Sequence, residues 1–395
     1  MNTLPHRLLS TAAAAALAAI LAGCAHQAQA PDAAKPGQPT QAGAQAQPQV
    51  VRQAIAPGLY ELAYSPKFNA VFVNSSGGFG KDAPASRLLR LDPQSLAVLG
   101  EIPLQRRGFG MALDEDAGRL YIGNTIDSSV TVIDIASGKT LGVVQLAKKV
   151  QAPGRDGKMQ ERYEHRFRQL VLDKANGRLF MPGMDSKNSA LYVVDTRALK
   201  VEKVIPGMGF TATGIALDEA AGKVYVSNQQ GQLFTVDART LKLEKKHEIA
   251  LDQPLNLAFD AKSKRLFAVD QGLDAFNQSR ERAGLKDYVS RGRGDRIVAL
   301  DPKNGSLLAS QPTKGKGPVT LLADAERGRL WVTTREGASV EVFHLKTFQP
   351  LQRFDLPSHP NSLSLDAQTG AVYATVKNGK NDAKGSNESV VRLSF

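Results

Sequence analysis

Cysteine is almost missing from this chain: its 395 residues include one, Cys24. A lone thiol closes no disulfide within the molecule, so burial and hydrogen bonding must hold the fold. Long apolar runs are missing too. The stretch Leu8 to Leu21 falls short of the ~20 residues that cross a bilayer comfortably. Histidine is scarce, at six, and no Ser-His-Asp or Cys-His arrangement can be assembled from the sequence. Aromatics reach only 6%, with one tryptophan, Trp331. Negative charge is in deficit as well. Fifty Lys and Arg face 38 Asp and Glu, giving a net charge of +12 and a pI near 9.6. A field of that sign attracts anions: nucleic acid, acidic glycans, lipid headgroups or an acidic protein.

What the chain does have is a repeat. Seven times an aromatic follows an anchor residue by seven positions: Ser65/Phe72, Asp114/Tyr121, Asp173/Phe180, Asp218/Tyr225, Asp260/Phe267, Asp324/Trp331 and Asp366/Tyr373. Around each pair the text reads apolar strand, polar turn, apolar-aromatic strand. In five copies a third strand ends at a further carboxylate, Asp92, Asp134, Asp195, Asp237 or Asp301. Repeats of 42 to 64 residues, each long enough for four short strands, predict an all-β fold, a seven-bladed β-propeller. The last repeat stops at its third strand, Val390 to Phe395, while Gln49 to Ile55 is a strand candidate with no blade of its own. Pairing the two closes the ring with an N-terminal strand and removes an exposed edge.

The segments before the ring read differently. His6 and Arg7 precede the apolar run, as in a signal peptide over residues 1–23. Leu21-Ala22-Gly23-Cys24 resembles the bacterial lipobox, which implies lipidation at Cys24; ordinary cleavage after Ala30 is the alternative. Residues 24–49, rich in Ala, Gln and Pro, cannot bury a core and are expected to be a flexible tether to a propeller over 50–395. Ala25 in place of Asp after the cysteine implies, by resemblance to lipoprotein sorting rules, a periplasm-facing position on the outer membrane of a Gram-negative bacterium.

Leu120 to Leu146, LYIGNTIDSSVTVIDIASGKTLGVVQL, resembles the YVTN-type propeller repeat. More widely, Gly58 to Phe395 resembles the YncE family of periplasmic seven-bladed propellers, through GLYELAYS (Gly58 to Ser65), YIGNTIDSSVTVID (Tyr121 to Asp134) and HPNSLSL (His359 to Leu365). The lipobox, the tether and a basic insertion between Gln271 and Asp295 depart from the family pattern. The resemblance implies single-stranded DNA as a candidate ligand. Kelch and WD signatures are absent.

A propeller places its A–B and C–D turns on one face and its B–C and D–A loops on the other. The first set is short and uniform, as in DEDAG, DEAAG and DAQTG. The second holds every long segment: 75–86, 147–168, 271–295 and 377–387. Residues 147–168 alone carry seven basic and three acidic residues, and nearly all the net charge falls on this face. Loops on a rigid scaffold carry function, so this is the expected working face. Its candidate contacts to an anionic partner are Arg106, Arg107, Lys148, Lys149, Arg162, Tyr163, Arg166, Arg168, Arg291 and Arg293. Interleaved aromatics suit stacked single-stranded bases.

The innermost strands predict a second candidate set. Four residues before each anchor the sequence is small or polar, as at Glu61, Gln169 and Asn256, a pattern that faces a wet channel. With His359 and Asn361 of the seventh repeat these make a channel-mouth ligand site. That ring has one carboxylate and no histidine, so no metal, cofactor or catalytic group is expected. The expected function is non-enzymatic binding or scaffolding in the cell envelope. Single-stranded DNA binding is one alternative. A lactonase- or quinoprotein-like enzyme using Glu61 and His359 as an acid/base pair is the other.

Overall fold

The turns that the anchors mark are built by those anchors. Asp114, Asp173, Asp218 and Asp324 each accept a hydrogen bond at 3.1 Å from a backbone N–H three residues on, and Asp260 and Asp366 do the same. Ser65, the one anchor without a carboxylate, accepts from Phe68 N–H through its hydroxyl. Asp92, Asp134, Asp195 and Asp237 cap the C–D turns in the same way, and Asp301 accepts from the N–H two residues on. His344 fills that role in the sixth repeat, its Nδ1 accepting from Thr347 N–H at 3.2 Å. Short polar side chains that bond the backbone two or three residues on are what fix such corners.

The computed structural model describes residues 47–395, apart from 81, 155 and 156. The expectations for the leader, Cys24 and the tether up to residue 46 lie outside the described residues. Within them the strands form seven antiparallel meanders. The innermost strands are Leu59–Ser65, Gly110–Asp114, Val171–Asp173, Ala212–Asp218, Leu257–Asp260, Pro318–Asp324 and His359–Leu365. Each touches the next in chain order, and the seventh touches the first, so the ring is closed.

Closure follows the expected route. Gln49–Ala56 pairs antiparallel with Glu388–Ser394, from Gln49 opposite Ser394 to Ala56 opposite Glu388, and supplies the outermost strand of blade seven. The ladder begins one residue before the expected domain start at Val50. The core lies between blades: among the described residues seven apolar clusters form, one at each blade-to-blade contact. All seven repeat aromatics are buried in them, Trp331 completely. Burying one such side chain contributes roughly 1.5–3 kcal/mol.

Two long loops carry structure that the strand pattern did not predict. Within 147–168 the strands Lys149–Pro153 and Met159–Tyr163 form a hairpin. Within 271–295 an α-helix runs from Ala275 to Arg282. Both stand on the B–C/D–A face.

Candidate functional site: the channel mouth and its face

Six of the seven innermost strands gain a residue near the channel mouth. In blade one Leu59 opposes Ser75 and Leu62 opposes Val73, so three steps on the inner strand match two on its neighbour. Blades six and seven repeat this between Pro318 and Leu321 and between Pro360 and Leu363. In blade four the slip lies between Ala212 and Gly214. In blade three the inner strand breaks between Arg166–Phe167 and Val171–Asp173. Blade five shows the same excess between Gln253 and Leu257. A bulge of this kind bends the strand and re-aims its side chains.

The result is a cavity of about 380 Å³ lined by Tyr60, Glu61, Phe109, Arg168, Leu255, Val319, Arg335 and Asn361, among others. Tyr60, Phe109, Arg168, Leu255, Val319 and Asn361 all lie five residues before their anchors. The expected channel ring lay four residues before, and only Glu61 of that ring lines the cavity. Asn256 is buried and ties blades together, accepting from Arg168 Nη1 at 2.6 Å and donating to Thr320 Oγ1 at 3.2 Å. Ser362 reaches across the closure to Tyr60 O. Gln169 does not line the cavity, and its Oε1 is buried with no hydrogen-bond partner among the described residues. Asn256 and Ser362 join blades where the period-two pattern had them facing water, because the extra residue shifts the alternation.

Glu61 keeps a partly exposed edge but sits deep in the ring. Burial pushes its carboxyl above the usual carboxylate range, against the pull of the Arg168 guanidinium. Burial in turn depresses Arg168, with Glu61 opposing and the like charge of Arg335 reinforcing. Asn361 joins this cavity and His359 does not. Among the described residues no hydrogen bond links His359 to Glu61, and no three His, Cys, Asp or Glu side chains cluster as a metal site would require.

Behind Tyr60 lies a seam that the sequence did not reveal. Lys377 Nζ sits 3.9 Å over the Tyr60 ring, donates to Leu59 O at 2.6 Å and pairs with Glu388 at 2.9 Å. Glu388 also accepts from Leu59 N–H at 2.6 Å. Burial lowers Lys377, with Glu388 opposing. Desolvation first and then the Glu388 charge push the Tyr60 hydroxyl up to about 12.

On the surrounding face the candidate cations divide. Arg107 is tied to the carbonyls of Ser76, Gly78 and Pro84, and Arg106 to Ser129 and Gln145. Lys149 pairs with Glu161 at 2.7 Å and lies over the Tyr163 ring; Arg162 stands 3.6 Å from Asp185. Arg291 pairs with Glu248, while its backbone N–H donates to Asp252. These side chains hold loops in place. Lys148, Arg166 and Arg293 are exposed and make no ion pair among the described residues. Arg166, Arg162 and Arg282 line a second cavity, of about 650 Å³, between the hairpin and the helix. His165, on the same face, is buried between Tyr192 Oη and Asn188 O.

Phe79 on this face is 62% exposed. It lies 5.9 Å from Phe109, and Phe109 meets Tyr60 edge-on at 4.5 Å, so a row of rings runs from the surface into the cavity. Tyr163 is half-buried under Lys149 instead.

No protein-family model matches the chain. The uncharacterized protein YncE of Salmonella typhi is 29% identical over 328 residues, covering 83% of this chain and 85% of that protein. The uncharacterized protein YncE of Escherichia coli strain K12 is 28% identical over 333 residues, covering 84% and 86%. Among solved structures, hydrazine synthase of Kuenenia stuttgartiensis superposes with a TM-score of 0.62 at 14% identity, over 81% of this chain and 92% of that one, a likeness of fold alone. The chain is thus a closed seven-bladed propeller, similar in sequence to the YncE proteins over most of its length.

Proposed function

We propose that this protein is a non-enzymatic binding propeller that engages an anionic partner across its B–C/D–A face. The observation that carries this reading is the set of cations Lys148, Arg166 and Arg293, exposed and without an ion pair among the described residues, on the face whose channel mouth itself holds Arg168 and Arg335. An enzyme built on Glu61 and His359 lacks that support, since His359 stands outside the cavity. A cell-envelope, lipid-anchored setting belongs to the same proposal and rests on the leader and Cys24. Single-stranded DNA is the second reading, and Phe79 favours it: an exposed ring backed by a second ring is a platform on which a base can stack.

The test compares oligothymidylate with polyglutamate at several salt concentrations. Either polymer should bind more weakly as salt rises, for DNA with a slope near −0.7 per phosphate neutralised. Charge reversal at Lys148, Arg166 and Arg293 together should weaken binding and flatten the slope. Phe79→Ala should weaken DNA binding by roughly 1–3 kcal/mol and leave polyglutamate unchanged. Binding of polyglutamate alone keeps the anionic reading and removes the DNA one. If neither polymer binds micromolar protein at low salt, both readings fall.

A further inference from the structure

The channel-mouth cavity has a chemistry that the surface reading does not use. Its wall is largely apolar: Phe109, Leu255, Val319 and Phe276 surround it, the last from the helix of the 271–295 insertion. Into this wall converge two guanidiniums, Arg168 and Arg335, against one carboxylate, Glu61. Arg168 is aimed by its bond to Asn256 Oδ1 at 2.6 Å. The side chain of Arg335 makes no hydrogen bond or ion pair among the described residues, and the Glu61 carboxylate makes no hydrogen bond among them. Lys377, the next cation, is already matched by Glu388. Two like charges in a partly desolvated site with one counter-charge leave a single positive charge unbalanced.

We propose that this cavity is a binding site for a small organic carboxylate with an aromatic or apolar body. A single excess positive charge matches a monoanion. The planar fork of an arginine matches a carboxylate with two parallel hydrogen bonds. A cavity of about 380 Å³ lies within the range that encloses small ligands, and an apolar wall with a few convergent polar groups is how such sites are built. Asn361 and Tyr60 line the same wall, and Asn361 adds a further polar contact. The cavity shares Phe79, Arg168 and Arg335 with the polymer reading, but its ligand is a small monoanion, and its decisive variant, Arg335→Gln, is not among the exposed cations that the polymer test reverses.

Titration calorimetry of the purified protein with 1-naphthylacetate, and with the neutral 1-naphthylacetamide, tests it. The acid should bind saturably at one site, and the amide at least tenfold more weakly. Arg335→Gln should weaken acid binding tenfold or more without changing the amide, and Arg335→Lys should restore part of the loss. Phe276→Ala, on the insertion, should weaken both probes and leave the melting temperature nearly unchanged. Equal binding of acid and amide, indifference of acid binding to Arg335→Gln, or no saturable binding up to millimolar acid would each overturn the proposal.

Discussion

Glu61 is a carboxylate whose folded environment works against its charge. Burial raises it above the ordinary 4.5, and Arg168 recovers only part of the cost. Between 4.5 and the raised folded value, the native state holds a proton that the unfolded chain has released. Stability therefore falls as pH rises through that window. Glu61→Gln should accordingly raise the melting temperature at pH 7, and the difference should vanish below pH 4.5, where wild-type Glu61 is protonated in both states. Thermal melts of both proteins at pH 4 and pH 7 decide it. A lower melting temperature for the variant at pH 7 would mean that attraction to Arg168 outweighs desolvation. Glu61 and Asn361 were legible in the sequence because polar residues interrupt otherwise apolar inner strands. Arg168 was legible only as a charge. It ends the surface loop 147–168, and nothing in its neighbours shows that the chain turns it into the channel.

The reason lies at the level of the strand. Period-two reasoning assigns faces correctly as long as the ladder is regular, and the repeat aromatics, all buried, are its success. One extra residue in six of the seven inner strands reverses the assignment from that point on, so in those blades the cavity is lined five residues before the anchors instead of four, or not at all. The helix Ala275–Arg282 was hidden for another reason. It is eight residues long; Asp274 stands at its N-cap position, but that side chain makes no capping hydrogen bond and no acidic residue follows in the first turn, so the start signal is weak. Tertiary contacts hold it. Arg280 is 2% exposed, donates to the carbonyls of Gln229 and Asp252, and lies 4.6 Å from the Tyr288 ring. The carboxylate of Asp252 accepts from Tyr288 Oη at 2.8 Å, from Ser290 and from Arg291 N–H. Gly272 and Gly294, both at positive φ, pinch the neck so closely that a Cβ on either would lie about 2.5 Å from the other's Cα. Burial opposes the charge of Asp252, yet these hydrogen bonds together hold it below the usual carboxylate range. Asp252→Ala should therefore release the insertion, at a cost of about 3 kcal/mol, as expected when a buried charge loses its partner. Hydrogen exchange across 271–295 should rise while the blade strands stay protected. Unchanged protection there would show that Arg280 and the glycine neck suffice.

At the scale of the ring, stability turns on the one place where the chain must find itself again after more than three hundred residues. The closing strand was legible because the seventh repeat runs out of chain after three strands. The polar seam beside it was not, since Leu59 lies more than three hundred residues from Lys377 and Glu388 and none of the three carries a local signature. In the folded ring Glu388 accepts from Leu59 N–H and from Lys377, and Lys377 donates back to Leu59 O, so blade one and blade seven share buried hydrogen bonds. Removing one partner leaves the other as an uncompensated buried charge. Glu388→Ala should thus destabilise the protein by about 3–5 kcal/mol in urea unfolding. The exposed pair Arg87–Glu101 provides the contrast: Glu101→Ala should cost about 1 kcal/mol or less, because water already screens that pair. Deleting residues 47–56 removes the whole outer strand from blade seven and bares the edge of Glu388–Ser394, so the loss should exceed that of Glu388→Ala and bring aggregation through the open edge. If the deletion proves no worse than the point variant, ring closure rests on the Lys377–Glu388 seam, and the strand is only its cover. If the point variant is silent while the deletion unfolds the protein, the ladder from Gln49 to Ala56 closes the ring by itself.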